Sequence, residues 1–129
     1  KEVADRIVAE VNSSKYGRLS ILTEWKMNVK KVMDIEPCNF FPKPKVMSSL
    51  LYFEPKKDYF KLSNPKNLEK VTDIFFQNKR KMIKKPLNIL FKNPERVIKK
   101  FGLDANSRPQ NIDPLTFFKI SKEYELENN

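Results

Sequence analysis

Asn39-Phe40-Phe41-Pro42-Lys43-Pro44-Lys45-Val46 runs straight into a nearly continuous apolar segment, Val46 to Phe53. A proline fixes its own φ and holds the residue before it extended. Two prolines one residue apart therefore make a stiff loop entering a strand. A pair of rings stands before the prolines and two lysines alternate with them. Rings stack on bases and lysines meet phosphates. The stretch thus presents a ring and the cations Lys43 and Lys45 at the mouth of a stiff loop, a pattern suited to a base and its phosphates. The plainer alternative leaves a proline-rich connection between two strands, with both rings in the core where aromatic residues usually sit.

Working upstream, Asn28 to Ile35 reads as the partner strand, with Val29, Val32, Met33 and Ile35 apolar and Glu36-Pro37 ending it. The apolar ends of 46–53 and its Ser48-Ser49 pair predict burial on both faces. Two strands alone do not make a stable domain. Residues 1–54 are therefore expected either to pack on the rest of the chain or to be the end of a larger sheet. An opening of Lys1-Glu2-Val3 without methionine favours the second and an excised segment. Before the strands, Val3, Ala4, Ile7, Val8 and Val11 are spaced as in a helix, which Asn12-Ser13-Ser14 breaks. Tyr16-Gly17-Arg18 reads as a turn. A second helix then carries Leu19, Leu22 and Trp25, and Trp25 is expected to anchor a core or an interface.

Downstream the pattern becomes helical throughout. Glu54-Pro55-Lys56-Lys57-Asp58 opens a hinge over 55–63. Asn64 and Pro65 then form an N-cap and first helical position. The spacing predicts a helix over about 65–84, with Leu68, Val71, Phe75 and Met82 facing inward and Ile74 and Ile83 as further candidates for that face. Its last turns would carry Lys79, Arg80 and Lys81, then Lys84 and Lys85, before Pro86. Cations at a helix C-terminus suit its dipole. Five in seven residues exceed that role, and their mutual repulsion calls for an anionic partner. Asn93-Pro94 starts another helix that Gly102 ends, and Asp113-Pro114 caps a last one with Leu115, Phe118, Tyr124 and Leu126 among its apolar positions. The expected architecture is an α/β remnant over 1–54, a hinge over 55–63, and a small all-α unit over 64–129.

Charge follows the same division. Of 129 residues, 26 are Lys or Arg and 16 Asp or Glu, a net +10. Residues 55–101 hold 14 cations against 4 acids, while 1–54 is net +2 and 102–129 net −2. A positive field confined to one segment favours a polyanion, with nucleic acid first; the competing explanation is a solvated surface in a lysine-rich proteome. The chain has no histidine and one cysteine, Cys38. An internal disulfide is excluded, a zinc site of ordinary ligands is not expected, and histidine-based acid–base or nucleophilic catalysis is ruled out. No apolar run approaches the roughly 20 residues that span a bilayer, and no secretory signal core opens the sequence. This composition suits a reducing, cytoplasmic setting.

The order and spacing of several of these stretches resemble the ribosomal RNA adenine dimethyltransferases. They are Lys1-Glu2-Val3 with Arg6, Tyr16-Gly17-Arg18-Leu19-Ser20, Phe40-Phe41-Pro42-Lys43-Pro44-Lys45-Val46, and Phe76-Gln77-Asn78-Lys79-Arg80-Lys81. The resemblance covers essentially the whole chain but only the C-terminal half of the family, and it leans toward the small-subunit branch. It implies that residues 1–54 end a Rossmann-like methyltransferase domain and that a helical domain follows. It implies S-adenosylmethionine as cofactor of the whole enzyme. The family's glycine-rich loop, its acidic ribose-binding residue and its Asn-Leu-Pro-Tyr motif are not in these 129 residues, so the chain alone is expected to bind no cofactor and to be inactive. Phe40 matches the aromatic that stacks on the flipped adenine, a contact of roughly 1–3 kcal/mol. Lys79, Arg80 and Lys81 match an Arg-Arg-Lys cluster on the rRNA backbone; the lysine at 79 keeps the charge but loses the bidentate fork. Lys85 and Pro86 depart from the family's usual Asn-Ser.

The implied reaction dimethylates the exocyclic amine of two adjacent adenines in small-subunit rRNA, with the rRNA and the immature small ribosomal subunit as partners. Orientation of the amine toward the sulfonium methyl supplies most of the catalysis, which needs no histidine. Two alternatives stand beside it: a non-catalytic RNA-binding assembly module, and the large-subunit methylase of the antibiotic-resistance branch. The two strands, lacking sheet neighbours, are expected to self-associate or to sit at an exposed edge.

Overall fold

A computed structural model describes residues 1–37 and 47–128. Phe40, Pro42, Lys43, Pro44 and Lys45 lie outside the described residues, so the loop that opened the sequence reading has no structural account. The elements run α1 (Glu2–Ile7), α2 (Arg18–Lys26), β1 (Met27–Ile35), β2 (Ser48–Pro55), α3 (Pro65–Phe76), α4 (Lys84–Leu90), α5 (Pro94–Phe101) and α6 (Pro114–Asn128), with a 3-10 turn at Pro109–Asn111.

The core is built from helices. Ile21 and Trp25 of α2 meet Leu68, Val71 and Phe75 of α3, Leu87 and Leu90 of α4, Val97 of α5, and Phe117, Phe118 and Ile120 of α6 in one buried cluster. Phe75 and Phe117 pack edge to face at 5.2 Å between ring centroids. Trp25 is buried as expected, and its indole N–H donates to the Phe60 carbonyl. That bond ties α2 to the segment between β2 and α3, where Tyr59, Phe60 and Leu62 also lean on the core. The first helix is shorter than its spacing predicts, because the chain leaves helical geometry at Val8 and Asn12 adopts a left-handed φ of 74°. The Asn12 N–H donates to the Gln110 carbonyl at 2.9 Å, so the bend is held by a distant loop.

β1 and β2 form an antiparallel pair in register from Met27↔Pro55 to Ile35↔Ser48, with a bulge between Lys31 and Met33. Burial on both faces is not found. Val32, Met33, Leu50, Tyr52 and Phe53 are exposed. The described residues provide no third strand, and no element with a substantial set of contacts beyond α2 approaches the pair. The ribbon is fixed at one side, where Lys31 bonds Asp5 of α1 at 3.1 Å and Asp34 of its own strand at 3.3 Å. Ser49 Oγ donates to the same Asp34 at 2.6 Å.

The expected helix over 65–84 is two helices. α3 ends at Phe76, residues 77–81 turn, and α4 starts at Lys84. Pro86 is the cause. Within one long helix its ring would strike the carbonyl of Met82 and its missing N–H would break the ladder. In α4 it falls in the first turn, where N–H groups have no intrahelical partner. Met82, expected inside, is 52% exposed, while Ile83 is wholly buried and its N–H donates to the Ser107 carbonyl at 2.9 Å. In α6, Leu115 and Leu126 are exposed rather than inward; the buried face is Phe117, Phe118, Ile120 and Ser121 together with Glu123 and Glu125.

Those two buried carboxylates were not legible as core positions. Glu125 accepts from the backbone N–H groups of Ser63 and Asn64 and from the Asn67 side chain, each at 2.9 Å. It thereby satisfies the free donors at the start of α3 and pins α6 across them. Burial pushes its carboxyl up, but these bonds and the charge of Lys122 outweigh it and hold the group below its usual range. Glu123 is likewise held low, by its bond from Lys100 first and by Arg96 at 2.7 Å, against burial. A depressed folded-state pKa means that the unfolded chain takes up the proton first. The stability from both groups is therefore present above about pH 4.3, the unfolded value for Glu, and is lost as acid titrates through the folded values. Thermal melts between pH 7 and pH 3 should show that decline. Glu125→Gln should melt lower at pH 7, by the equivalent of about 2 kcal/mol, and should show a shallower acid limb than wild type.

Candidate nucleic-acid interface

The basic run stands on a short scaffold. Gln77 caps α3 in helical geometry and donates its N–H to Asp73. The Lys81 N–H returns to the Asn78 carbonyl at 2.9 Å and closes the turn. Buried Ile83 then anchors the turn to the core, and α4 leaves at once. The side chains of Lys79, Arg80, Lys81, Lys84 and Lys85 are all exposed. None of the five enters an ion pair or a side-chain hydrogen bond among the described residues. The cations that do pair among the described residues are elsewhere: Arg96 and Lys100 on Glu123, Lys31 on Asp5 and Asp34, Lys1 on Asp5, Arg6 on Glu2, Lys122 on Glu125.

The split of the long helix changes what these charges cost. Lys84 and Lys85 were expected near a helix C-terminus, where the dipole welcomes cations. In the structure they open α4, at the end whose free N–H groups already carry partial positive charge. Fold stability gives no reason for two lysines there beside Lys79, Arg80 and Lys81. A polyanion does: each phosphate bound displaces counterions, and the closely spaced cations then gain rather than lose. Among the described residues no group of three or more His, Cys, Asp or Glu could hold a metal ion, and no helix is long and apolar enough to cross a membrane.

Next to this turn lies a cleft of about 490 Å³ between the α1–α2 corner and the end of α3. Arg6, Lys15, Arg18 and Lys79 line it together with Tyr16 and Phe76. Arg18 donates from Nε to Thr72 Oγ1 at 3.3 Å and from Nη2 to the Glu69 carbonyl at 3.0 Å. Tyr16 is buried and gives its hydroxyl proton to the Ile112 carbonyl at 2.6 Å. Burial, with Asp113 and Glu24 nearby, drives its pKa up, so the phenol stays neutral and keeps donating. In the sequence Tyr16-Gly17-Arg18 reads as a turn and, with Arg6, carries the family resemblance, but nothing there marks these residues as a site. No spacing rule could bring residues 6–18 against residue 79.

A comparison of the chain with protein families matches the model described as ribosomal RNA adenine dimethylase over residues 1–126. The chain belongs to that family. It is 61% identical over 97% of its length to "Ribosomal RNA small subunit methyltransferase A" of Pelagibacter ubique strain HTCC1062, covering 48% of that protein. The protein of the same name from the Wolbachia of Brugia malayi is 38% identical over 87% of the chain, which covers 43% of it. Among solved structures, a dimethyladenosine transferase from Plasmodium falciparum superposes with a TM-score of 0.84 at 27% identity, over 99% of this chain and 55% of that one. The chain thus spans about half the length of the curated relatives it matches, and its strands and helices form part of a methyltransferase fold.

A stability experiment separates scaffold from charge in this family member's basic turn. Ile83→Ala should cost about 2–4 kcal/mol, the range for truncating a fully buried aliphatic side chain. Lys84→Gln and Lys85→Gln should leave the melting temperature unchanged or raise it slightly at low salt, because each removes a repulsion. Chemical denaturation of the three variants beside wild type provides the check.

Proposed function

We propose that this chain is the C-terminal half of an rRNA adenine dimethyltransferase. The whole protein dimethylates the exocyclic amine of two adjacent adenines in small-subunit rRNA, using S-adenosylmethionine, on the immature small ribosomal subunit in the cytoplasm. What carries the reading is that five consecutive-turn cations of a family member, Lys79 to Lys85, are exposed and have no acidic partner among the described residues. The names of the curated relatives above favour the small-subunit branch over the large-subunit one.

In this proposal residues 1–54 complete the methyltransferase sheet, 55–63 form the hinge, and 64–129 form an all-α RNA-binding unit. Lys79, Arg80, Lys81, Lys84 and Lys85 contact the RNA backbone. Lys43 and Lys45 add contacts beside Phe40, which stacks on the target adenine within the frame of Pro42 and Pro44. The 129 residues by themselves carry no cofactor-binding motif and transfer no methyl group. The decisive assay is transfer of labelled methyl from S-adenosylmethionine by the whole protein to small subunits lacking adenine methylation. Wild type should transfer strongly and Phe40→Ala should lose about 5- to 150-fold, matching a stack of roughly 1–3 kcal/mol. RNA binding without transfer by the wild type would instead support a non-catalytic assembly module. Undiminished transfer by Phe40→Ala would return that ring to the core.

The uncovered ribbon gives a second expectation. With Val32, Met33, Leu50, Tyr52 and Phe53 exposed and both strand edges unpaired among the described residues, the isolated chain should self-associate. Sedimentation velocity should show concentration-dependent dimers or larger species, which Tyr52→Lys and Val32→Lys together should convert to monomer.

A further inference from the structure

The cleft beside the basic turn differs in charge from four other pockets formed by the described residues. Four cations line it and no carboxylate does. The four other described pockets each include at least one Asp or Glu. Of the four cations, only Arg6 has an acidic partner among the described residues, Glu2 at 3.1 Å, in an exposed i,i+4 pair worth little. Lys15 and Lys79 have no ion pair or side-chain hydrogen bond among the described residues. Arg18 is held by a hydroxyl and a backbone carbonyl, both neutral, so its guanidinium is oriented while its charge is left uncompensated. The hydroxyl belongs to Thr72, which is wholly buried and itself bonded to the Leu68 carbonyl at 2.8 Å.

We propose that this cleft is a phosphate-binding subsite for the RNA backbone, in which one phosphate sits among Arg18, Lys15 and Lys79. This rests on the RNA-binding reading above and deepens it. Lys79 belongs both to the cleft and to the exposed turn, so a strand following the turn reaches the cleft without a break in positive surface. The consequence is a contact path that crosses from the helical core to the α1–α2 corner. An oriented arginine with neutral partners is suited to this task, because its planar fork can present donors to phosphate oxygens. RNA is favoured over a free anion by the continuity of the cleft with residues 79–85.

The test measures binding of unmodified small-subunit rRNA, transcribed in vitro, to the chain across a series of salt concentrations. Lys15→Gln and Lys79→Gln remove side chains that hold nothing in the fold. Each should weaken binding about three- to tenfold and reduce the slope of log affinity against log salt by about 0.7–0.9, the value for one phosphate. If both lysines hold the same phosphate, the double variant should lose little more slope than either single variant. Lys15→Gln combined with Lys85→Gln should lose about twice as much. Loss of binding by Lys85→Gln with Lys15→Gln silent would overturn the subsite and leave the basic turn as the RNA contact. Strict additivity of Lys15 and Lys79 would also overturn it, showing only a diffuse field. If neither cleft nor turn variants change binding, the RNA-binding reading fails with it.

Discussion

Ile83 and the proline three residues after it set the arrangement on which the functional surface depends. Pro86 forbids a continuous helix through Met82, so the chain must turn after Phe76. Ile83, fully buried and bonded through its N–H to Ser107, fixes how tightly it turns. A single aliphatic anchor thus sits inside a run of seven residues of which five are cations. Without the anchor these mutually repelling side chains would favour an extended loop. With it, they are displayed at fixed positions on a core that also holds α2, α3 and α6.

The same core explains why the α1–α2 corner reaches the basic turn. α2 packs into the helical cluster through Ile21 and Trp25, and Arg18 at its start reaches across to α3 at Thr72 and Glu69. The residues that precede the strands in sequence are therefore held against residues that follow them. Buried polar groups reinforce this rather than weaken it. Glu125 and Tyr16 each have their hydrogen-bonding capacity met by partners more than 60 residues away or close to it, and such satisfied contacts specify one packing because any shifted arrangement strands a buried polar group.

Much of this was legible in the chain, and the remainder was not for identifiable reasons. Both strands, the Asn64-Pro65 and Asn93-Pro94 starts, and the Gly102 stop with its left-handed φ of 61° appear where local chemistry put them. An apolar period that carries on through Met82 and Ile83 predicts one helix over 65–84, whereas the chain breaks after Phe76, upstream of Pro86 by more than a full turn. Burial of Glu123 and Glu125 could not be read, since a charged residue is an inward position only when partners from elsewhere arrive. The strand faces were judged buried from their composition, which records what a surface is suited to meet and not whether it meets it. The basic run at 79–85 stands out in the sequence by its charge and by its match to the family's cluster. The cleft does not, because its cations are scattered over 74 residues and only the fold gathers them.

The two regions proposed as RNA contacts are set very differently in the chain. Residues 79–85 rise from a turn closed on buried side chains, so the charges there keep their spacing whatever happens to the ribbon. β1 and β2, which precede and follow residues 38–46 in the sequence, contact mainly each other and α2, and their apolar residues are largely uncovered. A binding face built on a complete core can recognise a backbone by charge and spacing. A base platform needs placement to within about half an ångström, which requires a supporting shell on both sides. Among the described residues such a shell surrounds the turn at 79–85, which Ile83 anchors to the core, so of the two proposed contact regions the basic turn is the one whose scaffold these residues complete.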